Sequence, residues 1–442
     1  MKRLTRVVPL FVFFLSCSNL MRAQAIADTT SGEFTLEQCL SYALENKPEV
    51  QQAQIDEAIG EREIRANLSA WLPQISAQYN ASHNFKLQTA AFGDQLITLG
   101  RKNNSNILLQ ADQVIYSRDV LLASKAARFT RNQLDQNTEE SKINTVVNVS
   151  KAFYDILLTQ EQLSILEENI VRQEKQYKDA RSQYQSGLVD KTDYQRASIT
   201  LANTRSDRKR TQESLTAKHA ALKELMGYPV DKHIDLVYEY GLMEQDIQMD
   251  TTQELVYTNR IEYQQLQTQS KLLQLNTSYY QWDFLPTVSA FANYNWIYLN
   301  DEMAELYDTA YPTSAAGLQV NLPIFQGTRR IQNLQIAQLQ EERQDIGMAD
   351  ARRMINTEYE RALANYKSDY NEWLTLQENV EVAEEVYDII KLQYDEGIRA
   401  YLDLIVAETD LRTAQINYYN ALYNALASKL DYQKALGNID FN

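Results

Sequence analysis

The sequence predicts an α+β membrane protein. Long antiparallel coiled-coil helices carry two β-hairpins, whose four strands belong to a barrel shared between chains. Three observations predict this class: turn residues are scarce, the chain repeats itself, and each copy switches once from helical to strand periodicity. With 12 glycines and 7 prolines in 442 residues, the chain holds less than half of the roughly 31 and 22 that average usage would give. Its elements must therefore be long and uninterrupted. Three histidines, two cysteines and almost no Gly-rich loops leave little material for a metal site or a phosphate cradle. That composition argues against a conventional enzyme.

Residues 1–25 read as a secretory signal: Lys2, Arg3 and Arg6, an uncharged run from Val7 to Met21, then Ala23-Gln24-Ala25, with cleavage after Ala25. The run is short for a bilayer span. Phe14-Leu15-Ser16-Cys17 leaves open the alternative of a lipid-modified Cys17. Losing this segment removes four cations and no anion, taking the net charge from −16 to −20. Such a surface repels nucleic acid, which excludes nucleic-acid binding as a main function. No later run of about 18 apolar residues exists, so no transmembrane helix is expected; a strand barrel escapes that test. Only Cys39 remains in the mature chain, so no internal disulfide is expected. It falls on an apolar helix face with Leu36, Leu40 and Ala43, as a small core residue would.

The repeat organises everything that follows. At an offset of 213, Asn46-Lys47-Pro48-Glu49 aligns with Asn259-Arg260-Ile261-Glu262, and Leu72-Pro73-Gln74-Ile75-Ser76-Ala77 with Leu285-Pro286-Thr287-Val288-Ser289-Ala290. At an offset of 210, Leu166-Glu167-Glu168-Asn169 aligns with Leu376-Gln377-Glu378-Asn379. The same offset pairs Tyr184 with Tyr394, Gly187 with Gly397, Asp193 with Asp403, and Gly227 with Gly437. Residues 35–227 and 251–437 are expected to be two copies of one unit, with 228–250 as an equatorial connection.

Each unit opens with a helical stretch, Thr35–Ala70 and about Thr252–Phe284. The first begins with the helix-start signal Thr35-Leu36-Glu37-Gln38 and should break near Asn46, with Pro48 starting a fresh helix. Pro73 and Pro286 end the stretches, because the residue before a proline is pushed out of the α region. The period then falls to two. Ile75, Ala77, Tyr79 and Ala81 alternate with polar neighbours, as do Val288, Ala290, Ala292, Tyr294, Trp296 and Tyr298. Polar loops at 85–106 and 300–313 lead to returning strands at 107–116 and 315–325, giving hairpins over 72–117 and 285–325. Pro323 should cost the last strand one ladder bond. Strands of about ten residues, apolar on one face and rich in Tyr and Trp, suit a bilayer.

Residues 119–186 and 328–396 contain no proline, so each predicts a helix of about 100 Å. In the second, Ile355, Tyr359, Ala362, Tyr366, Tyr370 and Trp373 begin a seam that runs to Tyr394 in steps of three, four or seven. Gly187 and Gly397 sit where these helices must stop and turn. Return helices of about 40 residues end at Gly227 and Gly437.

Four strands cannot close a barrel, and an open edge in lipid leaves backbone groups unpaired. About eight strands give a filled interior, and roughly 12 leave a lumen. A trimer with 12 strands is the smallest arrangement that makes a conduit.

The order helix, Leu-Pro, hairpin, long helix, Tyr-x-x-Gly, Asp, return helix ending in Leu-Gly or Met-Gly occurs twice. It resembles the TolC-like outer-membrane efflux family over about residues 35–437. The resemblance rests on Tyr394-Asp395-Glu396-Gly397-Ile398-Arg399-Ala400-Tyr401-Leu402-Asp403, on Ala435-Leu436-Gly437 and their first-copy partners, and on Leu322-Pro323-Ile324-Phe325. It implies a homotrimer with a 12-stranded outer-membrane β-barrel and a periplasmic helical tunnel. It further implies a passive exit duct for efflux or type I secretion, with no cofactor and no catalytic residues. Its partners would be a periplasmic adaptor protein, an inner-membrane pump of the RND or ABC type, and outer-membrane lipid.

By motif position, Asp403 corresponds to an aspartate ring at the pore constriction, where three carboxylates would attract cations. Val406 stands where the best-known members have a second acid. Arg399 and Tyr394 correspond to gate-latch residues, and Asp193 to their acidic partner; Gly187 and Gly397 are the helix turns. The plainer reading is that these are solvated turn residues, with Asp403 favouring a helix start. His83, His219 and His233 have no ligand spacing. A periplasmic coiled-coil adaptor or structural protein without a pore is the alternative, although such a protein has no need of two alternating hairpins.

Overall fold

The computed structural model describes residues 33–188, 190–237 and 240–439; the expected signal segment 1–25, with Cys17, lies outside the described residues. A two-residue strand β1 (Glu33–Phe34) leads into α1 (Leu36–Asn46) and α2 (Pro48–Leu68). Thr35 and Gln38 form a capping box, the Gln38 amide donating to Thr35 Oγ1 and the Thr35 amide to Gln38 Oε1. Lys47 is extended between the helices, so the break falls where Pro48 requires it.

A single 3-10 turn and Pro73 then turn the chain into β2 (Gln74–His83). Between β2 and its partner lies a small hairpin, β3 (Gln88–Phe92) and β4 (Gln95–Leu99), where the sequence predicts only a polar loop. Gly93, at positive φ, makes its turn. β5 (Asn103–Tyr116) runs into α3 (Arg118–Gln185), 68 residues long. α4 (Lys191–Met226) returns. The segment beyond it contains β6 (Asp235–Leu236), paired in parallel with β1, and α5 (Tyr240–Asp246).

The second half follows the same course. α6 (Ile261–Gln281) leads to β7 (Thr287–Asn300) and β8 (Ala310–Asn321), then α7 (Arg329–Asp395) of 67 residues and α8 (Tyr401–Leu436). β8 starts five residues earlier and ends four earlier than the sequence suggests. Pro323 therefore lies beyond the strand and costs no ladder bond. Pro312 lies within it instead, on a strand at the sheet edge where proline is tolerated.

The four long strands form one antiparallel sheet in the order β2-β5-β7-β8, so strands from both halves meet at β5 and β7. Its register gathers apolar residues on one face, interrupted at Ser105, Gln113 and Ser314. Ile107 opposes Tyr79 and Trp296, and Leu109 opposes Ala77 and Tyr294; Ala290 opposes Leu318, and Val288 opposes Val320. The other face carries Ser76, Gln110 and Asn293 in one row and Gln78 and Asn295 in another, each row interrupted by an apolar neighbour on one strand. Ile75, Leu318 and Val320 on the edge strands are exposed in the single chain. Among the described residues, no helix is long and apolar enough to cross a membrane.

The main core lies midway along the helices. Phe153, Ile156 and Leu157 of α3 meet Leu222 and Met226 of α4, Tyr366 of α7, and Leu422, Leu426 and Tyr432 of α8. Cys39 is fully buried in it, and burial, with the nearby Glu37 charge, pushes its thiol up to about 12. The stretch 228–250 mixes polar and apolar residues, and its Tyr228, Ile234, Leu236, Met243 and Ile247 insert into this core. The predicted α7 seam is the face that packs: Ile355, Ala362, Tyr366, Trp373 and Tyr387 are buried, and Tyr359, Tyr370 and Tyr394 half-buried.

Candidate gate at the helical tip

The two long helices end alike. The Gly187 amide donates to the Tyr184 carbonyl at 3.0 Å and the Leu188 amide to Gln183 at 2.9 Å. The Gly397 amide likewise donates to Tyr394 at 2.9 Å and the Ile398 amide to Gln393 at 2.8 Å. Both glycines have φ of +73°, the left-handed conformation in which this carbonyl-capping turn is made. The turns leave Leu188 and Ile398 largely exposed at the very tip.

Beyond each turn, an aspartate occupies the third position of the return helix, Asp193 in α4 and Asp403 in α8. Each donates its backbone amide back to the residue before the helix, at 3.3 and 3.1 Å. A carboxylate there complements the helix dipole. The Asp403 side chain is 42% exposed and lies 3.8 Å from Arg399, one turn before it. Arg399 also donates from Nε to Gln393 Oε1 at 2.9 Å. Within one chain, therefore, Arg399 turns to Gln393 and Asp403, and among the described residues no ion pair joins it to Asp193. Val406 is half-exposed.

Tyr394 packs against Tyr401 with ring centroids 5.8 Å apart. Burial, then the charges of Asp179 and Asp193, holds the Tyr394 phenol above its usual range. Asp193 thus faces Tyr394 electrostatically, although no hydrogen bond joins them among the described residues. Tyr184 stacks on Tyr194 at 6.0 Å with nearly parallel rings.

Just above the turns, Ala180 of α3, Ala197 of α4, Tyr387 of α7, and Tyr401, Leu404, Ala407 and Leu411 of α8 form a second, smaller core. A carboxylate is buried against it. Glu408 is 3% exposed, accepting from Gln176 Nε2 at 3.0 Å and Gln173 Nε2 at 3.4 Å. Burial lifts its carboxyl above the usual carboxylate range, against the opposing pull of Gln176 and Arg172. Sequence reasoning passed over this residue. A signal was available, because Tyr401, Leu404, Glu408 and Leu411 step by three and four along one face, placing an acid on an apolar seam.

The histidines are scattered. His83 contacts Asn103 at 2.6 Å, His233 contacts Asp235 at 2.8 Å, and His219 lies on α4. No group of three or more potential metal ligands occurs among the described residues.

The chain matches a family model described as outer membrane efflux protein over residues 39–228 and 258–438. It is 19% identical over 408 residues to outer membrane protein TolC of Vibrio cholerae, covering 91% of each chain. It is 21% identical over 411 residues to the alkaline protease secretion protein AprF of Pseudomonas aeruginosa, covering 90% of this chain and 82% of AprF. Its fold superposes on the Campylobacter jejuni CmeC outer membrane channel with a TM-score of 0.75 at 16% identity, covering 91% of this chain and 85% of CmeC.

Proposed function

The chain belongs to the outer membrane efflux protein family, and on that premise we propose that it is the exit duct of a tripartite efflux or type I secretion system. It is a TolC-like outer-membrane protein, a transport channel rather than an enzyme, with a large periplasmic helical part. Both kinds of export occur among its relatives: TtgC of Pseudomonas putida is described as a probable efflux pump outer membrane protein, and AprF as a protease secretion protein. The observation that carries the reading is the four-stranded sheet, largely apolar on one face and open at both edges β2 and β8.

An open-edged sheet in lipid requires partners. Three copies, edge β8 of one against β2 of the next, make a 12-stranded barrel with room for a lumen. Residues 35–227 and 251–437 act as two copies of one unit, joined by 228–250. The paired helix lengths, 68 with 67 and 36 with 36, support that division.

At the periplasmic end, three Asp403 carboxylates line the constriction and favour cations. Arg399, Tyr394 and Asp193 hold neighbouring helices together until a periplasmic adaptor and an inner-membrane pump dock. The exposed Leu188 and Ile398 at the turns give that adaptor an apolar contact. Energy comes from the pump, so the duct itself is passive.

The test is reconstitution of the mature protein. Heat-modifiable migration in the outer-membrane fraction and cation-selective conductance in planar bilayers are expected; a monomer without conductance would overturn the duct reading.

A further inference from the structure

Glu408 is an expensive residue to keep. A buried carboxylate loses its hydration, and a buried ion pair is often no more stable than apolar residues of the same size. Here the compensation is incomplete. Arg172 of α3 approaches only to 4.0 Å, is a third exposed, and pairs also with Glu168 at 3.6 Å. Its Nε, and Oε1 of Gln173, are buried without a hydrogen-bond partner. From α7 the facing group is Tyr387, and from α8 itself Tyr401 and Arg412. Arg412 is drawn aside to Thr204 of α4 at 2.9 Å.

The packing of such helices does not demand this carboxylate. At the offset of 210 that aligns the two turns, Glu408 corresponds to Ser198, which is exposed. Arg172 corresponds to Val382 and Gln176 to Val386, both exposed in the single chain. The polar cluster thus belongs to one seam alone, where α3 of the first half meets α8 of the second.

We propose that Glu408 is a second gate residue, a protonation-sensitive clasp that lets the α7–α8 pair part from α3 just above the tip turns. The inference rests on the gate reading above and adds a site that neither turn contains. Protonated, the carboxyl is a neutral partner for Gln173 and Gln176, and the seam is at its tightest. Ionised, it is a charge held among Tyr387, Tyr401 and Leu404 with Arg172 only at 4.0 Å and Arg412 drawn to Thr204, and the seam is biased to open.

The sign follows from linkage. With the seam closed, Glu408 binds its proton more tightly than when exposed, where its value is the ordinary 4.5. The closed state therefore keeps its full advantage below 4.5 and loses it as pH rises through the lifted closed-state value. The bias toward opening grows as pH rises through that closed-state value.

The experiment is hydrogen exchange on the full mature protein in detergent, read in residues 401–412 against the equatorial residues 421–432 of the same helix. In the wild type, protection of 401–412 relative to 421–432 should fall between pH 4.5 and 8. In Glu408→Gln it should stay at the acid level, clearly above wild type at pH 8. Equal or lower protection in Glu408→Gln at pH 8 would overturn the clasp. The wild-type ratio across pH tests it without any variant, and a flat ratio would also overturn it. Because exchange reads the seam directly, missing conductance in a bilayer would count against the duct and not against the clasp.

Discussion

The same four long helices are packed in two different ways at two heights. Midway, α3, α4, α7 and α8 close around Phe153, Ile156, Leu222, Leu422 and Leu426, joined by α1, the β1–β6 pair and the 228–250 segment. At the tip they meet only one another, through alanines, tyrosines and two leucines, with a carboxylate in the middle. The first arrangement buries large apolar side chains from many directions. The second buries little, and Glu408 works against it. The contrast assigns rigidity to the middle and movement to the end, since opening free energy is lowest where buried apolar contacts are fewest.

The largest expected effect tests the rigid side of that contrast. Phe153→Ala should cost about 3–5 kcal/mol, as deletion of a fully buried ring usually does, and should lower the thermal unfolding midpoint of the assembled protein. A loss below about 1 kcal/mol, the lower range for any core truncation, would remove the middle from its anchoring role.

Glycines sharpen the comparison next. All four helix-end glycines have positive φ, so alanine at any of them should cost about 1–2 kcal/mol in backbone strain. A Cβ at Gly227 would also sit 2.5 Å from the Asn46 carbonyl oxygen, and one at Gly437 2.6 Å from that of Asn259. At Gly187 and Gly397 nothing lies within 4 Å. Gly227→Ala and Gly437→Ala should therefore unfold at lower denaturant than Gly187→Ala and Gly397→Ala. Equal midpoints would erase the difference between middle and tip.

Two smaller effects concern the tip alone. Asp403→Ala should lower cation selectivity in planar bilayers and weaken block by divalent cations; unchanged selectivity would count against a carboxylate ring. Arg399→Ser should raise resting conductance by freeing the turn that Arg399 ties to Gln393 and Asp403, and no change would take Arg399 out of the latch. The smallest effect is at Cys39. Alkylation needs the thiolate, and burial pushes this thiol up to about 12. The native protein should thus resist maleimide from pH 7 to 9 and react once unfolded.

Much of the fold was legible because its signals are periodic and given twice. Pro48, Pro73 and Pro286 act within a residue or two of their own positions, and the α7 seam from Ile355 to Tyr394 is a spacing in one dimension. The β3–β4 hairpin was not legible, because Gln88 to Leu99 lacks clean alternation and is held by its own turn. The end of β8 was missed because Leu322 and Ile324 continue the alternation past the last residue that finds a partner, Asn321. The mixed 228–250 segment hid its role, since its apolar residues follow no clean helix or strand period and matter only for what they touch.

The candidate gate divides in the same way. The pairs Gly187 with Gly397 and Asp193 with Asp403 could be found from the repeat, because a turn and the first turn of a helix are local; their gate roles rest on the family resemblance. The sequence by itself determined helix lengths, turns, the strand period and the acidic mature surface, all set by neighbours along the chain. Only the tertiary structure decided that β5 pairs with β7, and that Glu408 is buried while Ser198 is exposed. Those outcomes depend on groups about 170 to 235 residues apart, and burial, not spacing, fixes what a carboxylate costs.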